Sequence, residues 1–251
     1  MAKTVAVVGS TGKTGIAVAA ALADSQFEVR RLSSENSNLE TGEGLLAAFS
    51  GCAVVYHLAP NFHPMEVEIA ANAISAAEQA GVEKFVFHSV LHPQISAMPH
   101  HLAKSKAEEL VMASGLRWGI IQPSAYAQNL NEQVVAEVPY RVSAPFSFVD
   151  LTDVGLAAAR LVLDDVTDFG IFEASGPTTS VEEVASALGW HFAEIELERW
   201  FASNSALPQY QFDALTAMFS YYNEHGLVGS DFTLTELLGR EPIHAIDALR
   251  L

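Results

Sequence analysis

The chain is poor in cysteine and in positive charge, and each shortage narrows the classes of protein to consider. Its single cysteine, Cys52, has no partner for an internal disulfide, which excludes a disulfide-stapled scaffold and fits a reducing compartment. Only 13 lysines and arginines stand against 30 aspartates and glutamates, so the formal net charge is −17 at pH 7. Such an acidic surface repels phosphate backbones and anionic lipids, and we expect no nucleic-acid or membrane-surface binding.

Long apolar runs and targeting signals are missing as well. No uninterrupted run of about 18 apolar residues occurs, so no membrane span is expected. The N-terminus opens straight into a strand pattern, without the charged and apolar regions of a signal peptide. We therefore expect a cytoplasmic protein.

Apolar residues, by contrast, are plentiful, since they make up 50% of the 251 residues and suffice for one large domain with a sizeable core. Short β-branched runs alternate with alanine-rich helical segments through the first half of the chain. This alternation is typical of βαβ units around a parallel sheet. We predict strands at residues 4–8, 27–32, 53–58, 83–88, 118–122 and 170–174, with a short further candidate at 146–149.

A glycine-rich turn follows the first predicted strand and opens the first predicted helix. Of its three glycines, Gly9 permits a tight turn, Gly12 lets the backbone approach a pyrophosphate, and Gly15 permits close helix–strand packing. The helix N-terminus offers free N–H groups and a positive dipole end to phosphates. The turn therefore predicts a dinucleotide site formed by Gly9, Ser10, Thr11, Gly12, Lys13, Thr14 and Gly15.

The choice between NAD and NADP depends on the end of the second strand. An acidic residue there would bind the ribose hydroxyls of NAD, but Glu35 stands a residue or two too late. Lys13, with Arg30 or Arg31, would instead face the 2′-phosphate of NADP, although both arginines also suit a solvated strand. The balance slightly favours NADP. Further along the adenosine side we expect Ser33, Leu58, Ala59 and Pro60.

We predict an α/β fold that is Rossmann-like and doubly wound, with a mostly parallel sheet and a small α-rich C-terminal cap. Residues 1–130 would form the dinucleotide-binding core. Residues 131–251 would add the remaining Rossmann elements and the cap over the substrate cleft, within one structural unit. Only the segment 33–52 separates the second strand from the third, which leaves little room for a strand and a helix. That unit is predicted to be missing or vestigial.

Several motifs occur in an order and spacing that resemble the NmrA-like family of atypical short-chain dehydrogenases/reductases. They are GSTGKTG at 9–15, VEKFVFHSV at 82–90, KSKAE at 104–108, SGLRW at 114–118, QPSAYAQN at 122–129, FVDLTDV at 148–154, ASGP at 174–177 and LGREP at 238–242. The resemblance implies a Rossmann core, an NAD(P) site and a substrate cleft under a C-terminal cap.

The family contains enzymes that act on quinones, phenolic ethers and other small carbonyl or aromatic compounds, together with dinucleotide-binding redox sensors that catalyse nothing. The resemblance therefore implies an NAD(P)-dependent oxidoreductase acting on a small carbonyl, quinone or related compound. The alternative is an inactive redox sensor, and a third hypothesis is an NAD-dependent epimerase or isomerase. A small-molecule substrate is the expected partner, and a homodimer is left open.

The chain departs from the Tyr-x-x-x-Lys pair of the wider superfamily. The lysine indicated by the following Glu108 is Lys104, and four residues before it stands His100. One helical turn places both on the same face, and a histidine suits proton transfer near neutral pH. We therefore predict His100 as proton donor and Lys104 as ribose-binding residue. The other register, with Lys106 and Leu102, would lack the acid and favour a sensor.

Two further hydroxyls are candidates at the carboxyl edge of the sheet. Ser89 ends the fourth strand, where a hydroxyl can bond a carbonyl or the cofactor, although serine is also common in turns. Tyr126 follows the next strand and is a second candidate proton donor, unless it only packs beside the nicotinamide. Both are therefore predicted as catalytic residues that assist His100.

Other chemistries are not expected from this sequence. The nearby histidines at 88, 92, 100 and 101 lack the spacing and the cysteine or acidic partners of a zinc site, so no metal is predicted. No Gly-x-Ser-x-Gly elbow of a serine hydrolase occurs. The glycine turn also lacks the Gly-Lys-Ser/Thr ending of a nucleoside-triphosphate loop.

Overall fold

We describe the fold from a computed structural model, in which residues 3–130 and 137–250 are described. The predicted division of the chain after residue 130 falls at the gap between these ranges. Residues 1, 2, 131–136 and 251, which belong to the predicted core and cap, lie outside the described part of the chain.

Six strands form the central sheet of the described residues, in the order β2-β1-β3-β4-β5-β7, and every neighbouring pair is parallel. The strands are β1 (Lys3–Val7), β2 (Phe27–Arg31), β3 (Val54–His57), β4 (Lys84–His88), β5 (Arg117–Pro123) and β7 (Gly170–Ala174). A separate parallel pair joins β6 (Glu137–Val138) to β8 (Ala193–Glu194). The six longer predicted strands are confirmed, since short apolar β-branched runs between turns favour buried parallel strands. The short candidate at 146–149 is not a strand: in the described residues it forms isolated bridges through Phe146 and Val149.

Ten α-helices accompany the strands in the described ranges. They are α1 (Lys13–Ala21), α2 (Leu45–Phe49), α3 (Glu66–Gln79), α4 (Pro99–Ala113), α5 (Leu151–Leu163), α6 (Val181–Leu188), α7 (Leu197–Ser203), α8 (Gln209–His225), α9 (Phe232–Leu238) and α10 (Ala245–Ala248). The start of α6 follows from local chemistry, since Ser180 and Glu183 form a capping box. None of the helices in the described residues is long and apolar enough to cross a membrane.

Helices cover both faces of the sheet, as the doubly wound prediction requires. Val5 and Val7 of β1 pack in the apolar cluster with α1, α5 and α9, whereas Ala6 and the following Val8 pack with α2, α3 and α4. Successive strand residues point to opposite faces, so one strand supplies both cores. This burial on both faces explains the nearly continuous apolar runs of the sequence.

The segment between β2 and β3 confirms that a Rossmann unit is reduced. Residues 33–52 hold only the five-residue helix α2, and β2 stays at the edge of the sheet. Arg30 stabilises this compact connection, because its Nη1 donates to the carbonyl oxygens of Ala48 at 2.9 Å and Ser50 at 2.8 Å. In this strand order the direction of succession reverses between β1 and β3. Open α/β sheets bind their ligands at such a reversal.

The end of the chain forms the predicted α-rich cap. A third apolar cluster gathers Tyr140, Phe146 and Phe148 from the loops after β5 with Tyr222 of α8. The rings of Phe146 and Phe148 stack with centroids 4.9 Å apart, and Tyr222 meets Phe146 edge-on at 5.1 Å. Aromatic residues therefore hold the cap to the core and leave its inner side apolar.

Candidate active site

Gly9 and Gly15 make the turn between β1 and α1 possible. Gly9 has φ +68°, a left-handed conformation that residues with side chains rarely adopt. A Cβ on Gly15 would stand 2.3 Å from the Gly9 carbonyl oxygen and 2.7 Å from Ser10 Cα. Gly12 differs, since its φ is −75° and a Cβ there would meet nothing nearer than 3.5 Å. The fold itself thus requires the outer two glycines, and Gly12 matters where a ligand approaches.

The N-terminus of α1 is open toward a ligand. Gly12 is the N-cap residue and has no side chain with which to bond the N–H groups of the first turn. These donors, together with the positive end of the helix dipole, attract an anion. Because the same backbone lines a cavity, the turn has the character of a phosphate-binding site.

A cavity of about 940 Å³ lies at the carboxyl ends of the central strands. Its floor includes the turn 9–15, the segment 58–62 after β3 and Ser89 after β4. Its opposite wall comes from the cap, which contributes Trp200, Leu215, Met218, Phe219 and Tyr222. One end is therefore polar and phosphate-binding in character, and the other is aromatic, as in a site for a cofactor and an apolar substrate.

The structure brings most of the predicted site residues together around this cavity. The residues that line it are Gly9, Thr11, Gly12, Lys13, Thr14, Gly15, Ser33, Leu58, Ala59, Pro60, Ser89, His100, Lys104 and Tyr126. Two predicted residues lie elsewhere. Ser10 is buried under the turn and donates to the Leu32 carbonyl at 3.0 Å, so it supports the turn. Arg31 is exposed on the edge strand, and the geometry gives its predicted phosphate contact no support.

Lys104 faces the cavity from α4, and Lys106 is exposed, which favours the register with His100 one turn earlier. The Lys104 ammonium lies 2.8 Å from Glu66 Oε1 and donates to the His88 carbonyl oxygen at 3.1 Å. Glu66 is fully buried. The two opposite charges therefore compensate each other beneath the cavity, where water cannot.

His100 lines the cavity but is poorly suited to donate a proton. Burial, followed by the positive charge of Lys104 and by His101, lowers the pKa of His100 to about 3. Its ring packs on Phe62 with centroids 4.6 Å apart. At neutral pH the imidazole is uncharged, so it offers a weak N–H donor in place of an acid. The predicted acid role of His100 stays a prediction, and the geometry favours Tyr126 for it.

Tyr126 belongs to a hydrogen-bond network that the sequence analysis missed. His88 Nε2 lies 2.8 Å from the Tyr126 hydroxyl, and His88 Nδ1 lies 2.6 Å from the Tyr56 hydroxyl. Thr14 Oγ1 donates to the Tyr126 oxygen at 3.3 Å. The network thus connects the first turn of α1 with the interior of the sheet.

The burial of this network determines which way its hydrogens point. Burial, then the charge of Lys104, lowers the pKa of His88 to about 3, so its ring is neutral and carries one N–H. We assign the Tyr56 hydroxyl as donor to Nδ1, because Tyr56 is fully buried. The N–H on Nε2 then donates to Tyr126. With Thr14 also donating, the Tyr126 hydrogen is left for a ligand.

Lys13 is held beside the same phenol. Its ammonium donates to Asn129 Oδ1 and lies 5.4 Å from the centroid of the Tyr126 ring. Burial lowers the pKa of Lys13, whereas burial raises that of Tyr126 to about 12, against the Thr14 hydrogen bond. The Tyr126 phenol is therefore protonated at neutral pH, and a positive charge stands close to the point where a phenolate would form.

The residues missed by sequence reasoning are Tyr56, Glu66 and His88 in these roles. A weak signal was present, since the runs VVYH and KFVFH of β3 and β4 each end on a histidine within a buried strand. Polar residues at such positions are rarely there for packing alone. Among residues 3–130 and 137–250, no group of three or more His, Cys, Asp or Glu could hold a metal ion.

The buried histidines make the protein sensitive to acid. Burial and the charge of Lys104 lower the pKa of His57 to about 3 from an ordinary 6.5, as for His88 and His100. Between these values the unfolded chain binds protons that the folded chain does not. The stabilising contribution of these neutral histidines to the free energy of unfolding is therefore fully present above about pH 6.5. It falls as the pH drops toward 3, by about 1.4 kcal/mol per pH unit for each histidine.

Replacing His57 by leucine should reduce the slope of the unfolding free energy against pH by the contribution of about one bound proton. Within the described part of the chain, neither ring nitrogen of His57 has a hydrogen-bond partner, and the ring stacks on Phe85 and Phe87 at 5.6 and 5.9 Å. The measurement is urea unfolding from pH 7 to pH 5. Phe87→Leu is the control, because it disturbs the same stack without removing a titrating group. An unchanged slope in the His57 variant would contradict the prediction.

Comparisons with known proteins agree with this architecture. The profile of the NmrA-like family matches residues 36–249. A relative described as an NAD(P)H azoreductase, from Xenophilus azovorans, is 24% identical over 270 aligned positions that cover 93% of this chain and 92% of the relative.

Two solved structures are similar over nearly the whole length. The NADPH-dependent quinone oxidoreductase of Escherichia coli, complexed with NADPH, superposes with a TM-score of 0.85 at 18% identity and covers 98% of each chain. A nucleoside-diphosphate-sugar epimerase of Staphylococcus aureus gives 0.83 at 16% identity, with 99% of this chain and 100% of that one covered. At these identities the two structures establish the Rossmann-like fold alone.

Proposed function

The chain belongs to the NmrA-like family, and from this membership we propose that it is an NAD(P)H-dependent reductase of a small carbonyl, quinone or related unsaturated compound. The observation that carries the proposal is a single cavity that joins the open N-terminus of α1 to an aromatic cap, with the Tyr126 phenol in its lining. A nicotinamide cofactor supplies the hydride when bound, and the protein must then supply orientation, a dry site and a proton.

The glycine turn would hold the cofactor pyrophosphate, since its N–H groups are open and Gly12 lets the backbone approach closely. Ser33 and the segment 58–60 would lie along the adenosine, and Lys104 near the nicotinamide ribose. Ser89, which is buried at the end of β4 and lines the cavity, would be a hydrogen-bond partner for the carbonyl of substrate or cofactor. These assignments follow from the shared cavity and from the polarity of the turn.

Tyr126 would donate the proton that a carbonyl or quinone oxygen needs once the substrate has accepted a hydride. With His88 in the assigned tautomer, the Tyr126 oxygen accepts hydrogen bonds from His88 and Thr14, which leaves its own O–H to donate to a ligand. When the proton leaves, the same two bonds and the Lys13 ammonium would stabilise the phenolate. The cap aromatics, among them Trp200 and Phe219, would exclude water from this transfer.

The known relatives support a reductase over the two alternatives. One is described as an azoreductase and another as a quinone oxidoreductase, and both names denote reductions that use a nicotinamide cofactor. The epimerase among the structural neighbours shares the fold at a lower identity. The net charge of −17 and the lone cysteine support a cytoplasmic protein that acts without nucleic acid.

The test is turnover by the purified protein with NADH or NADPH and a panel of quinones, conjugated carbonyl compounds and azo compounds. We expect loss of the absorbance of the reduced cofactor that depends on both enzyme and acceptor. Tight cofactor binding without turnover across the panel would overturn the reductase proposal and indicate a sensor. Retained cofactor with interconversion of sugar nucleotides and no net oxidation would indicate the epimerase.

Tyr126→Phe should lower kcat by about 100-fold with little change in KM, because the variant keeps the ring and loses only the acidic hydrogen. The matched control is Tyr221→Phe, which removes a phenol from α8 outside the cavity lining. Steady-state kinetics on the best quinone would compare the two variants. Equal kcat values for both variants and the wild type would exclude Tyr126 as the proton donor.

A further inference from the structure

Cofactor selectivity can be inferred from the adenosine end of the cavity, an inference that rests on the proposed function. With a pyrophosphate on α1, the adenosine ribose of a dinucleotide lies beside the end of β2. The loop that follows β2 forms this wall, and its lining residues are Ser33, Ser34, Ser37, Asn38, Leu39 and Glu40. Four are neutral and polar, one is apolar and one is acidic, so a 2′-phosphate finds no cation among them.

Neither of the two cations nearest in sequence lines this wall. Arg30 donates from Nη1 to the carbonyl oxygens at the end of α2. Arg31 is exposed and does not line the cavity. Among the described residues that line it, the lysines are Lys13, held at Asn129 and Tyr126, and Lys104, paired with Glu66. Neither ammonium therefore stands ready to neutralise a phosphate at the adenosine ribose.

Glu40 supplies the opposite charge at this wall. The Glu40 backbone is fixed on both sides of its Cα. Asn38 Oδ1 accepts a hydrogen bond from the Glu40 N–H at 2.9 Å, and Asn72 Nδ2 donates to the Glu40 carbonyl at 2.8 Å. Its carboxylate lies 3.3 Å from His63 Nε2 and is half exposed. A carboxylate accepts hydrogen bonds from ribose hydroxyls and repels a phosphate.

We propose that this site selects NAD(H) over NADP(H), with Glu40 as the discriminating acid and Ser34 standing where a phosphate-binding cation would be needed. The proposal reverses the slight preference for NADP drawn from Lys13 and the arginines. It also separates this chain from the structural neighbour that was solved with NADPH. The acid stands on the loop between β2 and the short helix α2, and not at the end of β2 itself.

The experiment is titration calorimetry of the full-length protein with NADH and with NADPH under identical ionic strength. We expect a dissociation constant for NADPH at least about tenfold above that for NADH. Glu40→Gln should lower the ratio of the NADPH dissociation constant to the NADH dissociation constant. It weakens NADH binding and removes the repulsion between the carboxylate and the 2′-phosphate of NADPH. Ser34→Arg should reverse the preference, because a guanidinium pairs with a phosphate through two hydrogen bonds.

The matched control is Glu35→Gln, which removes an equal charge from the same loop but outside the cavity lining. If the ratio of dissociation constants falls as much in Glu35→Gln as in Glu40→Gln, the assignment of Glu40 as the discriminating acid is overturned. Equal or tighter binding of NADPH by the wild type would overturn the selectivity and leave the proposed function standing. Binding of neither cofactor would overturn the proposed function itself.

Discussion

Gly15→Ala is expected to destabilise the protein by about 3 kcal/mol or more and to abolish dinucleotide binding. The new Cβ would stand 2.3 Å from the Gly9 carbonyl oxygen and 2.7 Å from Ser10 Cα, and both are backbone atoms that cannot rotate away. The turn would have to open, which separates α1 from β1 and misdirects the N–H groups of the helix. Urea unfolding and calorimetry with NADH measure the two losses.

Gly12→Ala is the matched control within the same turn. Its Cβ meets nothing nearer than 3.5 Å and its φ of −75° suits alanine, so we expect the unfolding free energy to fall by no more than about 1 kcal/mol. Dinucleotide affinity should still drop, because the methyl group occupies the approach to the pyrophosphate. If both variants unfold at the same urea concentration, the clash of a Cβ at position 15 with the backbone of Gly9 and Ser10 is not what requires glycine there.

Lys104→Met is expected to cost about 3–5 kcal/mol of stability, since it leaves the fully buried Glu66 carboxylate without its counter-charge. Adding Glu66→Met should restore most of the loss, because two unbranched apolar side chains then replace the ion pair. Thermal and urea unfolding of the two single variants and the double variant form a double-mutant cycle. Strictly additive losses would show that the pair is not coupled.

The double variant also separates two roles of Lys104. It keeps the packing and lacks the ammonium, so its affinity for NADH reports on the predicted ribose contact without the stability loss of the single variant. If the double variant binds NADH as tightly as the wild type, Lys104 supports the structure of the site and does not contribute to binding the ribose. The single variant alone cannot distinguish these roles, because unfolding and weakened binding would occur together.

The sheet and the glycine turn were predictable because their signals are local. A buried parallel strand needs only a short β-branched run between turn residues, and the turn needs glycines at fixed offsets. The missing strand was visible for the same reason, as a shortage of residues between β2 and β3. A helical cap also has a local signal, because apolar residues such as Leu215, Phe219 and Tyr222 of α8 recur at helical spacing.

The proton donor was harder to predict because its environment is tertiary. Helical spacing places His100 above Lys104, but spacing does not reveal the burial that lowers the pKa of His100 to about 3. Tyr126 was named as an alternative, yet its partner His88, and Tyr56 on the other side of that histidine, come from two neighbouring strands whose register only the folded sheet defines. Likewise, nothing in the sequence shows that Arg30 is engaged by the end of α2.

The shortened connection after β2 has a consequence for how these molecules coexist in solution. A sheet that stops one strand early presents an open row of backbone N–H and C=O groups along β2, and such rows invite pairing between chains. Here that strand carries Glu28, Arg30 and Arg31 among its five residues. Charged side chains on an edge strand discourage a second copy from docking against it, so the aggregation hazard created by losing a strand is countered within the strand left exposed.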